Sequence, residues 1–243
     1  MGNLDRWYPE SRFGGYTDID GTVAFYTRIQ SLVNDSSVVL DVGCGRGAHI
    51  DDPVPLRREL RTFKGRCARV VGIDVDSAGE TNPFIDEFVK MDLGGGFPVA
   101  DEGADVLVSD SVLEHISDPD AFFTECARVL RPGGYLCLRT PNVWSYVGIL
   151  SRMIPDRFHA RVLERVQTGR QEDDVFPTVY RCNTRRKIAR AMERSGFDHV
   201  VYTYEAEPSY LSFSRFFYAL GVLHQRYAPR AVRLAIFAFG QKI

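Results

Sequence analysis

No uninterrupted apolar run in this sequence approaches the length that spans a bilayer, so a helical membrane-spanning protein is not expected. The first fifteen residues are polar and aromatic and contain no hydrophobic leader region. Cysteine is sparse. Cys44, Cys67, Cys126, Cys137 and Cys182 are scattered, odd in number and without a C-x-x-C pair. That pattern supports neither a zinc site nor a disulfide scaffold, and reduced thiols in a cytoplasmic protein fit it best. No block of one charge dominates: 30 basic residues face 32 acidic ones, for a net charge of −2. A dedicated nucleic-acid binder is therefore disfavoured, and no spaced histidine or carboxylate cluster compels a metal. Internal repeats and low-complexity segments are missing as well. What remains is a chain of 243 residues, 44% hydrophobic, with the length and apolar content of one α/β domain.

The chain is organised around Val38-Val39-Leu40-Asp41-Val42-Gly43-Cys44-Gly45-Arg46-Gly47. A short apolar run ending in glycines predicts a buried parallel strand that feeds a tight loop. Alternating Gly43, Gly45 and Gly47 let the backbone turn sharply and approach a ligand. Asp41 falls at the carboxyl end of the strand, where open α/β sheets bind ligands. The pattern is D-x-G-x-G-x-G rather than the dinucleotide fingerprint G-x-G-x-x-G. A carboxylate so placed disfavours a pyrophosphate and suits a ligand with an amino group and a sulfonium.

Further strands follow in order. A helix over residues 18–33 with Asp18 or Asp20 as N-cap precedes the first strand. Val70–Asp74 predicts the second strand, and its terminal acid can accept two hydrogen bonds from a vicinal diol. Asp76 is the alternative for that role. Gly79, Asn82 and Pro83 break the next crossover and leave one turn at residues 83–87. Phe88–Met91 predicts the third strand and Ala104–Ser109 the fourth. Asp92 alone would serve equally as a cap before Gly94-Gly95-Gly96. A helix over 120–130, the Pro132-Gly133-Gly134 turn and a fifth strand over 135–139 complete the pattern.

The stretch V-L-E-H-I-x-D-P (112–119), followed by R-V-L-R-P-G-G-Y-L (128–136), is the most specific feature. Together with D-x-G-x-G-x-G it resembles the class I S-adenosylmethionine (AdoMet)-dependent methyltransferases over residues 36–141. The resemblance implies a doubly wound, seven-stranded, mostly parallel Rossmann-like sheet with a helical lid inserted after strand 5. It implies AdoMet as cofactor and S-adenosylhomocysteine as product. It places Asp41, Gly43, Cys44, Gly45 and Gly47 at the amino end of the cofactor, Asp74 and Val75 at the ribose, and Asp92 with the Leu93 amide at the adenine. Ser109 and Asp110 would leave the fourth strand beside the methyl.

One domain over 1–243 is expected, with an N-terminal arm and helix over 1–35 and an acceptor lid over 142–182. The arm is either tucked on the domain or a flap over the cofactor. In the lid, Arg157, Arg161 and Arg165 recur every four residues, with Arg152 near the stripe. Two readings stand, a solvated basic face or a dock for an anionic acceptor. A helix over 184–195, a sixth strand over 200–205 and a seventh over 235–239 follow, the last antiparallel in the resembled family. The aromatic stretch 210–227 between them is short and interrupted by Gly221 and Pro229. Core or homodimer contact is therefore favoured there over membrane contact.

A hydroxyl acceptor benefits from a general base. His115, His159, Asp110 and Tyr180 are the candidates, with Asp173 beside them, although His115 reads more readily as a structural residue packing under the cofactor loop. R-T-P-N-x-W (139–144) and Y-R-C-N-T (180–184) are similar to methyltransferases associated with bacterial polysaccharide modification. The expected activity is O-methylation of a sugar or glycan-linked, possibly anionic, acceptor, with no nucleic-acid partner. Rival readings are a lipid, quinone or secondary-metabolite methyltransferase, a non-catalytic AdoMet-binding protein, and a dinucleotide oxidoreductase, which Asp41 disfavours.

Overall fold

The computed structural model describes residues 2–153 and 177–243. Seven strands, β1 (Val38–Val42), β2 (Arg69–Asp74), β3 (Glu87–Lys90), β4 (Ala104–Asp110), β5 (Leu130–Pro141), β6 (Phe197–Tyr204) and β7 (Ala235–Lys242), form one sheet. Its order is β3-β2-β1-β4-β5-β7-β6. β1 to β5 pair in parallel, and β7 runs antiparallel to both β5 and β6. The helices are α1 (Asn3–Trp7), α2 (Gly21–Gln30), α3 (Pro55–Arg61), α4 (Pro119–Val129), α5 (Tyr146–Met153), α6 (Arg185–Arg194) and α7 (Arg215–Tyr227).

Local sequence sets the helix starts. Asp20 accepts from the amides of Thr22 and Val23, Asp118 from Ala121, and Thr184 from Lys187. Each such cap contributes about 1 kcal/mol. Gly196, at φ 79°, lets the chain leave α6 in the left-handed region.

Successive strand residues point to opposite faces of the sheet. Leu40, Val42, Ile73, Leu107, Leu136 and Leu138 meet Phe122 and Phe123 of α4 and Ile188 and Met192 of α6. Val39, Val70, Val106, Val108 and Cys137 meet Phe25, Tyr26 and Ile29 of α2. Each fully buried side chain of this size contributes about 1.5–3 kcal/mol. Both faces are covered, as a parallel sheet requires.

Two expectations change. The single turn of the second crossover forms at Ser77–Thr81 rather than at 83–87, because Asp76 caps it through the Ala78 amide at 2.9 Å. The aromatic helix α7 is not a core helix. Only Tyr218, Gly221 and Val222 are buried, and they pack with Tyr8 of the N-terminal arm. Its other apolar side chains face outward. Of the lid, α5 is in place after β5. The second lid helix, with Arg157, His159, Arg161, Arg165 and Asp173, lies outside the described residues, as does the Arg152 side chain.

Candidate functional site

The two-residue period of the strands builds the site. Asp41 continues the face of Val39, Asp74 that of Val70 and Gly72, Asp110 that of Val106 and Val108, and Arg139 that of Cys137. All four therefore project toward the α2 side. Because β1, β2, β4 and β5 are parallel, they do so at one edge of the sheet. That is the edge at which open α/β sheets take ligands.

The loop after β1 turns back through Gly43, Gly45 and Gly47, at φ 75°, 49° and 75°. Asp74 accepts from the Gly45 amide at 2.9 Å and the Asp76 amide at 3.0 Å. A carboxylate offers about four lone-pair positions, so it retains capacity for a ligand diol. Asn82, read in the sequence only as a helix breaker, donates to the Cys44 and Gly45 carbonyls, both at 3.0 Å. It pins the glycine loop from the second crossover. A Cβ at Gly47 would come within 2.6 Å of Asn82 Oδ1, whereas one at Gly45 would meet nothing within 4 Å. The loop is thus walled on the crossover side and open at its crest.

Asp110 is not placed as a general base. Arg139 grips it with both ends of the guanidinium, Nε to Oδ1 at 2.7 Å and Nη2 to Oδ2 at 2.5 Å, and the Tyr26 hydroxyl donates to Oδ2 at 3.0 Å. Burial would raise its carboxyl, but the Arg139 charge and hydrogen bond, with Arg61 and Tyr26, hold it below the usual carboxylate range. A carboxylate kept ionised by a buried guanidinium accepts protons poorly. Arg139 also reaches Thr22 Oγ1 at 3.1 Å and stacks over Phe25 at 5.3 Å. The pair thereby anchors α2 over the strand ends.

Asp41 has no such partner among the described residues. Burial pushes its carboxyl up to about 7, Arg61 opposes this, and Asp110 and Asp74 add to it. Arg61 stacks on Tyr26 at 5.6 Å, and its Nε is buried without a hydrogen bond among the described residues. A cation and an acid that titrates near neutrality therefore share one corner of the cleft.

Beyond β4 the chain takes a strained step at Ser111, φ 63°, whose amide donates to the Arg139 carbonyl at 2.8 Å. The loop then carries Glu114 and His115. His115 Nδ1 lies 2.9 Å from the Pro177 carbonyl oxygen. A carbonyl only accepts, so in the neutral ring Nδ1 carries the proton and Nε2 is the basic nitrogen. Glu114 is buried and accepts from the Thr140 hydroxyl at 3.0 Å, and Asn183 donates to Thr140 at 2.6 Å. The Glu114 carbonyl also receives the Val179 and Tyr180 amides. V-L-E-H, R-T-P-N and Y-R-C-N-T thus meet in one hydrogen-bonded junction.

The comparisons with known proteins agree with this geometry. Residues 40–138 match the family model described as a methyltransferase domain. A probable S-adenosylmethionine-dependent methyltransferase of Mycolicibacterium smegmatis is 35% identical over 108 residues, covering 43% of this chain and 38% of that protein. Residues 40–138 are thus similar to a methyltransferase domain. A ubiquinone biosynthesis O-methyltransferase of Rhizobium johnstonii is 30% identical over 104 residues, covering 43% and 41% of the two chains. The matched segments thus span about two fifths of the length of these relatives. A SAM-dependent methyltransferase from Archaeoglobus fulgidus superposes with a TM-score of 0.56 at 17% identity, over 96% of this chain and 97% of that one. That likeness concerns the fold.

The cofactor of such a domain is AdoMet, and the cleft suits it. The crest at Gly45 is open, Asp41 and Asp74 meet groups that carry positive charge or donate hydrogen bonds, and Arg61 has a buried donor to spare. Ser109 is buried in β4, while Asp92 and Leu93 are exposed just past β3, where the Asp92 carbonyl closes a turn onto the Gly95 amide. Val75 and Cys44 are partly buried beside the loop, and Tyr180 is half-buried at φ 49°. Sequence reasoning did not single out Tyr26, Arg61, Asn82, Glu114, Thr140 or Arg139 as site residues. For Arg139 the alternation of β5 carried the signal, since a charged residue there falls on a buried face.

Asp41 gives the methyltransferase domain a pH signature. Its folded pKa, near 7, is above the ordinary carboxylate value, so the ligand-free protein loses stability as pH rises from about 4 to about 7. Binding a cationic group beside Asp41 requires the ionised form. AdoMet affinity should therefore rise with pH up to about 7, by up to about tenfold per unit below it, with release of a proton. Calorimetry from pH 5.5 to 8 in buffers of different ionisation enthalpy measures both quantities. A flat profile would remove Asp41 from the binding corner.

Proposed function

We propose that this protein is an AdoMet-dependent O-methyltransferase acting on a sugar or glycan-linked hydroxyl. The observation that carries the oxygen assignment is His115, whose Nδ1 is committed to the Pro177 carbonyl so that Nε2 is the base. It stands on the loop that leaves β4 at the ligand edge. Asp41 would face the amino group of the cofactor, Arg61 its carboxylate and Asp74 its ribose diol, with Asp92 and the Leu93 amide at the adenine. The bound cofactor supplies a methyl group activated on a sulfonium. The protein supplies alignment, and His115 Nε2 takes the proton of the acceptor hydroxyl. Asp110 acts through Arg139 as a positioning residue. Support for the sugar class comes from R-T-P-N-x-W and Y-R-C-N-T, the two stretches that Thr140 and Asn183 join.

A second reading, an apolar acceptor such as a lipid or quinone, draws on the exposed apolar face of α7. Label transfer from methyl-tritiated AdoMet into fractionated cell extract separates the two. Label in polysaccharide, glycolipid or nucleotide-sugar fractions is the expected result. Label confined to apolar lipids would favour the second reading. No label, with AdoMet binding intact, would sink the enzymatic assignment.

A further inference from the structure

Residues 205–234 join β6 to β7, which are antiparallel neighbours. A hairpin makes that connection in about 2–5 residues, so the fold itself does not require the segment. It carries α7, which has two apolar faces where a surface helix ordinarily has one. The inner face, Tyr218 and Val222, is buried against Tyr8. The outer face presents Phe213 at 59% exposure, Phe216 at 68%, Phe217 at 47%, Leu220 at 46%, Leu223 at 56% and Tyr227 at 75%. An apolar surface so continuous along one helix marks an interaction site.

Charge identifies the partner. From Pro208 to Ile243 the sequence contains no Asp or Glu, and it carries Arg215, Arg226, Arg230, Arg233 and Lys242 although the whole chain is net −2. Arg215, Arg226 and Arg230 are exposed, and at helical spacing Arg215 and Arg226 flank the outer apolar face. We propose that this face docks the protein on an anionic lipid surface, with the aromatic side chains of α7 in the headgroup layer and the arginines on the lipid phosphates. A second copy fits less well. A two-fold interface would set the arginine flank near its own image, and the stretch from Pro208 to Ile243 has no acid to pair with it.

The position of α7 gives the docking a consequence. Ala235 pairs with Tyr204 and also with Pro141, so the connection sits at the edge of the sheet that holds Asp41 and Asp110. The Tyr146 ring meets His224 of α7 at 5.3 Å, and the Asn142 amide donates to the Ala231 and Arg233 carbonyls, both at 2.8 Å. A docked α7 therefore brings that edge of the sheet, with Asn142 and Tyr146, close to the lipid. The inference is independent of which acceptor is methylated.

Flotation of the full chain with vesicles tests it, using phosphatidylcholine alone or with about a third phosphatidylglycerol. Binding is expected to the anionic vesicles only, and to weaken strongly in about 0.5 M salt. The Phe216→Ser/Leu220→Ser variant should lose at least about tenfold in partitioning, as should Arg215→Glu/Arg230→Glu. All four positions are exposed, so thermal melts of the variants should match that of the parent chain. Failure to bind anionic vesicles, or equal binding by the serine variant, would overturn the proposal. So would sedimentation velocity showing a dimer that the serine variant converts to monomer, since a second copy would then cover the face.

Discussion

Replacing Arg139 by leucine should lower stability by about 3–5 kcal/mol, because it strands a buried carboxylate. The side chains of Arg139 and Asp110 are 17% and 10% exposed, and their two hydrogen bonds cross between the ends of β5 and β4. In water such a pair contributes little, since each charge is already solvated. Here Asp110 is only 10% exposed, and its remaining partners are the Tyr26 and Ser111 hydroxyls, at 3.0 and 3.2 Å. The loss is large against the roughly 5–15 kcal/mol that holds a domain together. It corresponds to a fall in Tm of roughly 6–20 °C for a chain of this size, measurable by circular dichroism. Arg139→Leu combined with Asp110→Leu should recover much of the loss, because no unpaired charge remains. A single variant that melts with the parent chain would show that water reaches the pair.

His115→Asn should reduce kcat by about 10²–10⁴-fold, the range of a lost general base. Asparagine is the informative choice. Its amide nitrogen occupies nearly the place of Nδ1 and can keep the contact with the Pro177 carbonyl, while the basic nitrogen is gone. If His115 were only a tie between the post-β4 loop and residue 177, asparagine would preserve activity. The expected pattern is a fall in kcat with the dissociation constant for AdoMet and the Tm unchanged. Parent-like turnover by the asparagine variant would return His115 to a structural role and leave the base to be sought elsewhere.

One prediction concerns the ends of β4 and β5 and the other the loop that follows β4, and they differ in how visible their residues were. The glycine loop and the acids closing β1 and β2 could be read from the chain because they are local, whereas the seven-stranded sheet was implied by the resemblance. An apolar run ended by glycines can hardly be anything but a buried strand and a turn, and the period of two fixes which acids share a face. His115 was visible as a residue type in a specific stretch. Its tautomer was not, since the Pro177 carbonyl that sets it lies 62 positions away.

The sequence by itself carried the strand-and-turn pattern, through periodicity and turn chemistry that act over a few residues, and its resemblance to class I methyltransferases pointed to the Rossmann-like class and to Asp41 and Asp74 at the ligand edge. The tertiary structure decided the rest. It gave Asp110 to Arg139, which disqualifies it as a base, because two parallel strands bring residues 29 positions apart within hydrogen-bond reach. It gave Asn82 to the carbonyls of the glycine loop. It also turned the larger apolar face of α7 outward. The pattern of α7 is apolar on both sides, and the packing of Tyr8, with Leu4, Trp7 and Ile19, against Tyr218 and Val222 selects which side is covered.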